Sequence, residues 1–338
     1  LNPDGLGGEK GGYVIFAGAG VSRRSSLDFD DDATKLFALG RHCVAAVVRA
    51  TRPARVHLPR YTCHSVKKTL AECGADARFY SLGDDLLPRI DALRSGDLVI
   101  VNNYFGLIAD RASLRGWLRD RPDVVRLIDN THSIGCANQF EAEMSFVSPR
   151  KFLPLTDGGI LFDPFRAVGE DEMPADVDAS WQRVGWLFRA IDEGGRHPSY
   201  AEYLAFRRGL QSLPYARMSR VTRHLLGLYD LEAVLGQRCA NYRTLLQRLP
   251  VHPLFADFEP TAQHSPIGFA IRIADARAAQ QRLGQERIYA VRYWPELAED
   301  PALNSVEREL LDRTLIVPIG DGLTDEQVAR VEAECGAG

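Results

Sequence analysis

Asp129 and Lys151 are the residues of this chain whose type and setting could do chemistry together. Both lie in one stretch from Val124 to Phe162, VVRLIDNTHSIGCANQFEAEMSFVSPRKFLPLTDGGILF. The mostly apolar run from Val124 to Ile128 ends abruptly in Asp129. A short run of this kind, closed by polar turn residues, reads as a buried parallel strand. Ligands of open α/β sheets sit just beyond the carboxyl ends of such strands, so Asp129 stands where a carboxylate can meet one. Lys151 draws notice because lysine is scarce: only Lys10, Lys35, Lys67, Lys68 and Lys151 occur among 41 basic residues. A chain that uses arginine nearly everywhere keeps lysine where an amine must lose its proton, which arginine cannot do. The alternative for Lys151 is a solvated loop lysine.

The elements that must position this pair follow from the surrounding pattern. After Asp129 come a second apolar run, Met144 to Val147, then Ser148-Pro149-Arg150-Lys151, then Asp157-Gly158-Gly159 and a third run, Ile160 to Phe162. Upstream, Val56 to Pro59, Arg78 to Tyr80 and Leu98 to Val101 read as further buried strands with helical patterns between them. Strands alternating with helices imply right-handed crossovers and a largely parallel sheet. The segment Asp32 to Ala50 opens on acidic capping residues and carries an apolar helix after Gly40. A helix opening there aims free backbone N–H groups at an anion, or simply begins with no ligand. Residues 164–250 turn to long Arg- and Leu-rich helical patterns, with one helical stretch expected from Tyr215 to Leu249. From about residue 251 the pattern becomes a small α/β unit: a strand at Gly268 to Ile273, a helix opened by Asp275, a strand at Leu315 to Pro318, and a last helix capped around Leu323 to Gln327. The division expected is a Gly-rich lead-in (1–30), a large α/β domain (31–165), a helical link (166–250) and a smaller C-terminal α/β domain (251–338).

A buried carboxylate facing a pyridinium nitrogen and a lysine able to form a Schiff base are the two protein groups that pyridoxal phosphate requires. The chain resembles the fold-type-I, pyridoxal-phosphate-dependent sugar aminotransferases of the DegT/StrS type. The matching stretches, in order, are Gly40-Arg41, Leu58 to Cys63 (LPRYTC), Phe105-Gly106, Ile128 to His132 (IDNTH), Ser148 to Gly159, and Leu315 to Pro318 (LIVP). They span most of the chain from about residue 35.

The resemblance implies an α/β fold with a mainly parallel mixed sheet flanked by helices, a smaller C-terminal α/β domain, and a homodimer. It implies an amino donor, glutamate by analogy, and a nucleotide-linked keto sugar as acceptor. Lys151 is then the cofactor lysine and Asp129 the acid at the ring nitrogen. Gly40, Arg41 and His42 fall at the cofactor phosphate, and His132 at its phenolic oxygen, unless it is a packed loop histidine. Ser148 matches a common phosphate ligand. Some relatives place that serine five residues before the lysine, which here is Phe146, and Ser145 is the substitute. The family's stacking aromatic aligns with Cys63, which cannot stack; Tyr61 or His64 serves instead, or the stacking is absent. Asn103 replaces an expected histidine, and Asn103 and Tyr104 suit a substrate pocket or a satisfied loop. Tyr215 replaces an asparagine in a segment that reaches the partner subunit, leaving Arg217 as a cross-subunit contact or a solvated arginine. Tyr293, beside Arg292 and Trp294, could close over substrate or serve as packing. A branch of the family replaces the lysine by histidine for dehydration; Lys151 argues for transamination.

Composition narrows the rest. The chain has 338 residues, 45% hydrophobic and 25% charged, with a net charge of −4. That balance is ordinary for a globular protein and offers no basic field for nucleic acid. No apolar run approaches the roughly 18–20 residues that span a bilayer, and the polar, Gly-rich start lacks a secretory layout. Cytoplasmic placement is the expectation. Cys43, Cys63, Cys73, Cys136, Cys239 and Cys335 form no C-x-x-C pair, which reads as reduced thiols and no zinc knuckle. Two alternatives stay open. One is a nucleotide-binding, deacylase-like protein built on Gly18 and Gly20, weakened by missing zinc cysteines and by RRSSLDFDDD, which has no helical apolar period. The other is a catalytically degenerate binding protein, suggested by Cys63, Asn103 and Tyr215.

Overall fold

The apolar runs around Asp129 and Lys151 pair into one sheet. The computed structural model describes residues 32–108, 111–135, 143–175, 184–185, 187, 205–206, 208–261, 264–320 and 322–336. The lead-in at 1–30, the Gly18/Gly20 turn and Cys136 lie outside them. In chain order the described elements begin with β1 (Thr34–Phe37), α1 (Gly40–Thr51), β2 (Val56–Pro59), α2 (His64–Glu72), β3 (Ala77–Leu82), β4 (Pro88–Arg89) and β5 (Leu98–Asn102). There follow α3 (Ala112–Arg119), β6 (Val125–Asp129), β7 (Ser133–Ile134), β8 (Met144–Val147) and β9 (Gly159–Phe162). The C-terminal part holds α4 (Arg220–Leu226), α5 (Leu231–Leu246), β10 (Ser265–Pro266), β11 (Gly268–Arg272), α6 (Ala276–Gln285), α7 (Ser305–Asp312), β12 (Thr314–Pro318) and α8 (Asp325–Gly336).

The main sheet has eight strands in the order β1-β9-β8-β6-β5-β2-β3-β4. From β3 to β8 every neighbouring pair is parallel, while β9, β1 and β4 join antiparallel. This is the mainly parallel mixed sheet expected. Leu98, Val99, Leu127 and Ile128 are fully buried, because helices and loops cover both faces of the central strands. Burying each such side chain contributes about 1.5–3 kcal/mol. A second, two-stranded antiparallel sheet, β11 with β12, forms the centre of the C-terminal part. One continuous apolar cluster joins the two, from Val99, Tyr104 and Ile128 to Phe269, Leu315 and Val331. A short pairing of β10 with β7 adds a backbone link directly after the Asp129 loop. Among the described residues no helix is long and apolar enough to cross a membrane.

Three local expectations are corrected. Thr34 to Phe37 is a strand against β9 rather than a helical lead, since Leu36 and Phe37 complete the apolar edge there; α1 starts only at Gly40. Arg78-Phe79-Tyr80 is a strand but not a buried one: Phe79 is 43% exposed, because only the short β4 lies beyond β3. Tyr215 to Leu249 is not one helix. Arg217 bridges to Phe37, Ser219 caps α4 by accepting from the Thr222 N–H, and Asp230 caps a separate α5 by accepting from Ala233. Two side-chain caps within twelve residues restart the helix.

Candidate active site

Strand register decides which residues share the open edge of the sheet. Asn102 of β5, Asp129 of β6 and Phe146 of β8 are level, one beside the next, at the carboxyl ends of parallel strands. Because β9 runs back against β8, its start at Gly159 lies at that same edge, and Phe37 of β1 pairs with it. Asp129, the turn carrying Lys151, the Gly158-Gly159 pair and the start of α1 are thereby gathered from four places in the sequence.

Asp129 is buried, and its Oδ1 accepts a hydrogen bond from the Thr131 N–H at 2.9 Å. Burial pushes its carboxyl up from the ordinary range; the Lys151 ammonium, and both the hydroxyl and the N–H of Thr131, pull it down. Lys151 ends a one-turn 3₁₀ segment, Pro149–Lys151, and its N–H donates to the Ser148 carbonyl at 3.0 Å. The half-buried Lys151 side chain sends its Nζ to the Thr131 hydroxyl at 3.0 Å. Amine and carboxylate therefore meet on one threonine. Thr131 gains its place only in the fold. The local signal for it is the Asx-turn spacing, a polar residue two positions after an aspartate.

Ser148 donates its hydroxyl to the Gly158 carbonyl at 3.1 Å, so it ties the lysine turn to the glycine pair. Ser145 is fully buried, and its Oγ finds no hydrogen-bond partner among the described residues. A buried hydroxyl without a partner is a standing cost. It singles out Ser145 over Ser148 as the uncommitted hydroxyl.

The start of α1 is pressed against this edge. A Cβ on Gly40 would come within 3.0 Å of the Thr131 methyl and 3.3 Å of Phe146, and one on Gly159 within 2.4 Å of the Leu39 backbone. At Gly159 only glycine fits, whereas at Gly40 a Cβ would require the side chains it meets to give slightly. The helix opens without a side-chain cap; within its first turn the His42 N–H donates to the Leu39 carbonyl at 2.9 Å, and Leu39 bridges to Gly158. The Arg41 guanidinium, however, turns away to the carbonyls of Leu210 (2.9 Å), Gln211 (3.3 Å) and Leu213 (2.8 Å). His42 is buried with its Nδ1 3.3 Å from the Ala216 carbonyl oxygen, and burial together with the Arg41 charge lowers its pKa to about 4. Neither side chain joins Asp129 and Lys151.

On the other flank stands an aromatic wall. The His132 ring lies nearly parallel to Phe105 (6.0 Å, 11°) and to Trp294 (5.6 Å, 17°), with Tyr293 at 4.2 Å. Burial, then the Lys151 charge, drives its pKa well below 6.5, so the ring is neutral. Phe105 and Trp294 both sit in the left-handed backbone region (φ 55° and 54°), a cost that packing has to offset. Tyr61 is fully buried, donates to the carbonyls of Tyr293 (3.3 Å) and Leu310 (3.2 Å), and stacks on Tyr104 at 5.9 Å. Tyr104 in turn donates to the Tyr61 carbonyl at 2.9 Å. Asn103 is spent inside the fold: its Nδ2 donates to Asn130 Oδ1 at 3.1 Å, and its Oδ1 accepts from the Ile108 N–H at 3.1 Å. Cys63 precedes α2, with its Sγ 3.0 Å from the Ser65 hydroxyl. Trp294 meets Tyr61, Tyr104 and His132 in this wall, contacts that no local sequence pattern encodes.

Arg217 is held within its own chain, donating to the Pro174 carbonyl at 2.7 Å and pairing with Glu170 at 2.9 Å. Tyr215 donates to the Glu172 carbonyl at 2.6 Å and lies under the Arg49 guanidinium. Among the described residues no group of three or more His, Cys, Asp or Glu could hold a metal ion.

No family model matches this chain, and no curated protein matches it in sequence. Solved structures do match. Sugar aminotransferase CalS13 from Micromonospora echinospora is similar over 90% of this chain and 87% of its own, with 14% identity and a TM-score of 0.56. A DegT DnrJ EryC1 StrS aminotransferase from Brucella abortus covers 90% and 85%, with 16% identity and a TM-score of 0.55. Spr1654 from Streptococcus pneumoniae, in its PLP-form, covers 96% and 92%, with 14% identity and a TM-score of 0.57. This structural likeness is one of fold: the chain has the fold of the fold-type-I pyridoxal phosphate transferases.

Proposed function

We propose that this chain is a pyridoxal-phosphate-dependent aminotransferase that delivers an amino group to a keto substrate, a nucleotide-linked keto sugar, with glutamate as donor. The observation that carries the reading is the meeting of the Lys151 amine and the Asp129 carboxylate on Thr131, at the carboxyl edge of a parallel sheet. The residues present suit the group. A buried acid and an amine converge, the Ser145 hydroxyl is uncommitted, and Gly40 brings the uncapped start of α1 against the same edge.

Bound there, pyridoxal phosphate supplies an electron sink for the carbon that bears the amino group. Lys151 holds the cofactor through its amine and, once released, moves the proton between the two carbons that exchange the amino group. Asp129, whose carboxyl burial pushes up while Lys151 and Thr131 pull it down, would face the ring nitrogen and hold its proton. The N–H groups of Gly40 and Arg41, with Ser145, take the phosphate. His132, neutral and fixed between rings, would meet the cofactor at its phenolic oxygen as the histidine of the IDNTH run. Tyr293 and Trp294 bring the C-terminal part over the site, excluding water. We take residues 31–165 as the cofactor-holding body, 251–338 as the part that covers it, and the assembly as a homodimer.

The test is direct. Purified protein mixed with pyridoxal phosphate gains a visible absorption band, and borohydride fixes the cofactor on Lys151, mapped by mass spectrometry. With glutamate and a panel of nucleotide-linked keto sugars, 2-oxoglutarate forms. Fixation on Lys67 or Lys68, or none at all, overturns the reading. Fixation on Lys151 without transfer to any keto compound favours a binding role, for which the internally spent Asn103 already speaks.

A further inference from the structure

We propose that Thr131 is a positioning residue that sets the Lys151 amine against the Asp129 carboxylate; the inference rests on the reading of those two residues as the working pair. Three elements meet at this one residue. From the end of β6, the Thr131 N–H donates to Asp129 Oδ1 at 2.9 Å. From the turn after β8, Lys151 Nζ donates to Thr131 Oγ1 at 3.0 Å. From the start of α1, Gly40 brings its Cα against the Thr131 methyl, so closely that a Cβ there would stand 3.0 Å from it.

The chemistry of a threonine suits the place. Its hydroxyl takes the lysine N–H on a lone pair and keeps its own hydrogen to donate. Together with the backbone N–H, that hydroxyl pulls the Asp129 carboxyl down against its burial. Branching at Cβ leaves few side-chain rotamers, and the methyl lodged against Gly40 restricts them further. A lysine has four rotatable bonds, and without such a tie its amine would wander over several ångströms. Serine would supply the hydroxyl but not the methyl stop; valine would supply the shape but not the hydroxyl. That difference separates positioning by hydrogen bond from mere packing.

The experiment uses the full chain without added cofactor. Lys151 is labelled by a lysine-reactive acylating reagent across a pH series, and the midpoint of its reactivity is read by mass spectrometry in the wild type, Thr131→Val, Thr131→Ala and Thr131→Ser. Loss of a hydrogen bond from a charged amine lowers its titration midpoint by about 1 pH unit. The expected result is that drop in Thr131→Val and Thr131→Ala, with Thr131→Ser matching the wild type. Thr131→Ala covers the case in which valine upsets folding. Equal midpoints in all four proteins overturn the proposal, as does an equal drop in the serine and valine variants. A second arm adds pyridoxal phosphate and borohydride to the wild type. Failure to fix the cofactor on Lys151 there overturns the proposed function, while the midpoint difference still reports whether Thr131 ties the amine to the acid.

Discussion

At the scale of single residues, Asp129 and Lys151 do different work and separate experimentally. Replacing Lys151 by Ala removes both the anchoring amine and the proton carrier. Borohydride-fixed cofactor should disappear, and turnover should fall by about 10³-fold or more. Replacing Asp129 by Asn keeps the shape and the Thr131 N–H contact but removes the charge. Cofactor should still be fixed on Lys151, while kcat falls by about 10²–10³-fold. Equal loss of fixation in both variants would merge the two roles and contradict the assignment. His132 enters this picture uncharged, since burial and the nearby ammonium both disfavour its proton.

At the scale of elements, the site depends on how closely α1 approaches the sheet edge. The Gly158 N–H donates to the Ala38 carbonyl at 2.6 Å, and Gly159 lies against the Leu39 backbone, so the β1–α1 turn is held where the Gly158-Gly159 pair packs on the Ala38-Leu39 backbone. Gly159→Ala would set a methyl 2.4 Å from a backbone carbon that cannot move without shifting α1. It should destabilise the fold by about 1–3 kcal/mol in urea unfolding. Gly40→Ala meets only side-chain atoms, at 3.0 and 3.3 Å. It should cost little stability yet weaken pyridoxal phosphate binding, because it pushes Thr131 and changes the first helical turn. Equal stability losses in the two variants would show that both glycines act alike, as simple packing.

At the scale of the whole molecule, one apolar cluster spans the main sheet and the C-terminal strands, and buried histidines tie its stability to pH. His252 accepts the Leu254 N–H on Nδ1 at 3.1 Å, and its Nε2 lies 3.1 Å from the Thr314 hydroxyl oxygen. That hydroxyl donates to Glu309, so the ring is a neutral tautomer with its proton on Nε2. Burial lowers its pKa from 6.5 to about 4, as it does for His42. In the window between those values the unfolded chain binds the proton first. Stability is therefore complete above pH 6.5 and is lost as pH falls toward 4, by at most about 3 kcal/mol per histidine. The buried Glu307 carboxyl, pushed up by burial, works in the opposite sense. A comparison with His252→Asn isolates the histidine, since Oδ1 can replace Nδ1 as acceptor. The variant should lose less stability than the wild type between pH 6.5 and 4.5 in thermal unfolding. Parallel curves would refute the assignment.

The order of strands, the acid closing β6, the scarce lysine after β8 and the glycine pair before β9 were legible in the sequence. Each is written in residue type and short-range spacing: apolar runs, turn residues, and an amine where arginine would otherwise stand. The caps of α6 and α8 were legible for the same reason, Asp275 accepting from Ala278 and Thr324 exchanging bonds with Gln327. Strand Thr34 to Phe37 and the break between α4 and α5 were not, because the first is fixed by pairing with Phe162 to Gly159 far along the chain, and the second by caps that only compete once the chain has folded. Where Arg41 and Arg217 point was equally hidden: carbonyls 169 to 172 residues away, and Pro174 with Glu170, claim them. Residue spacing brought Asp129 and Lys151 to the same sheet edge, but only the strand register and the glycine-allowed approach of α1 placed Thr131 between them. Hydrogen-bond partners distant in sequence are chosen by tertiary distance, and no local pattern encodes that.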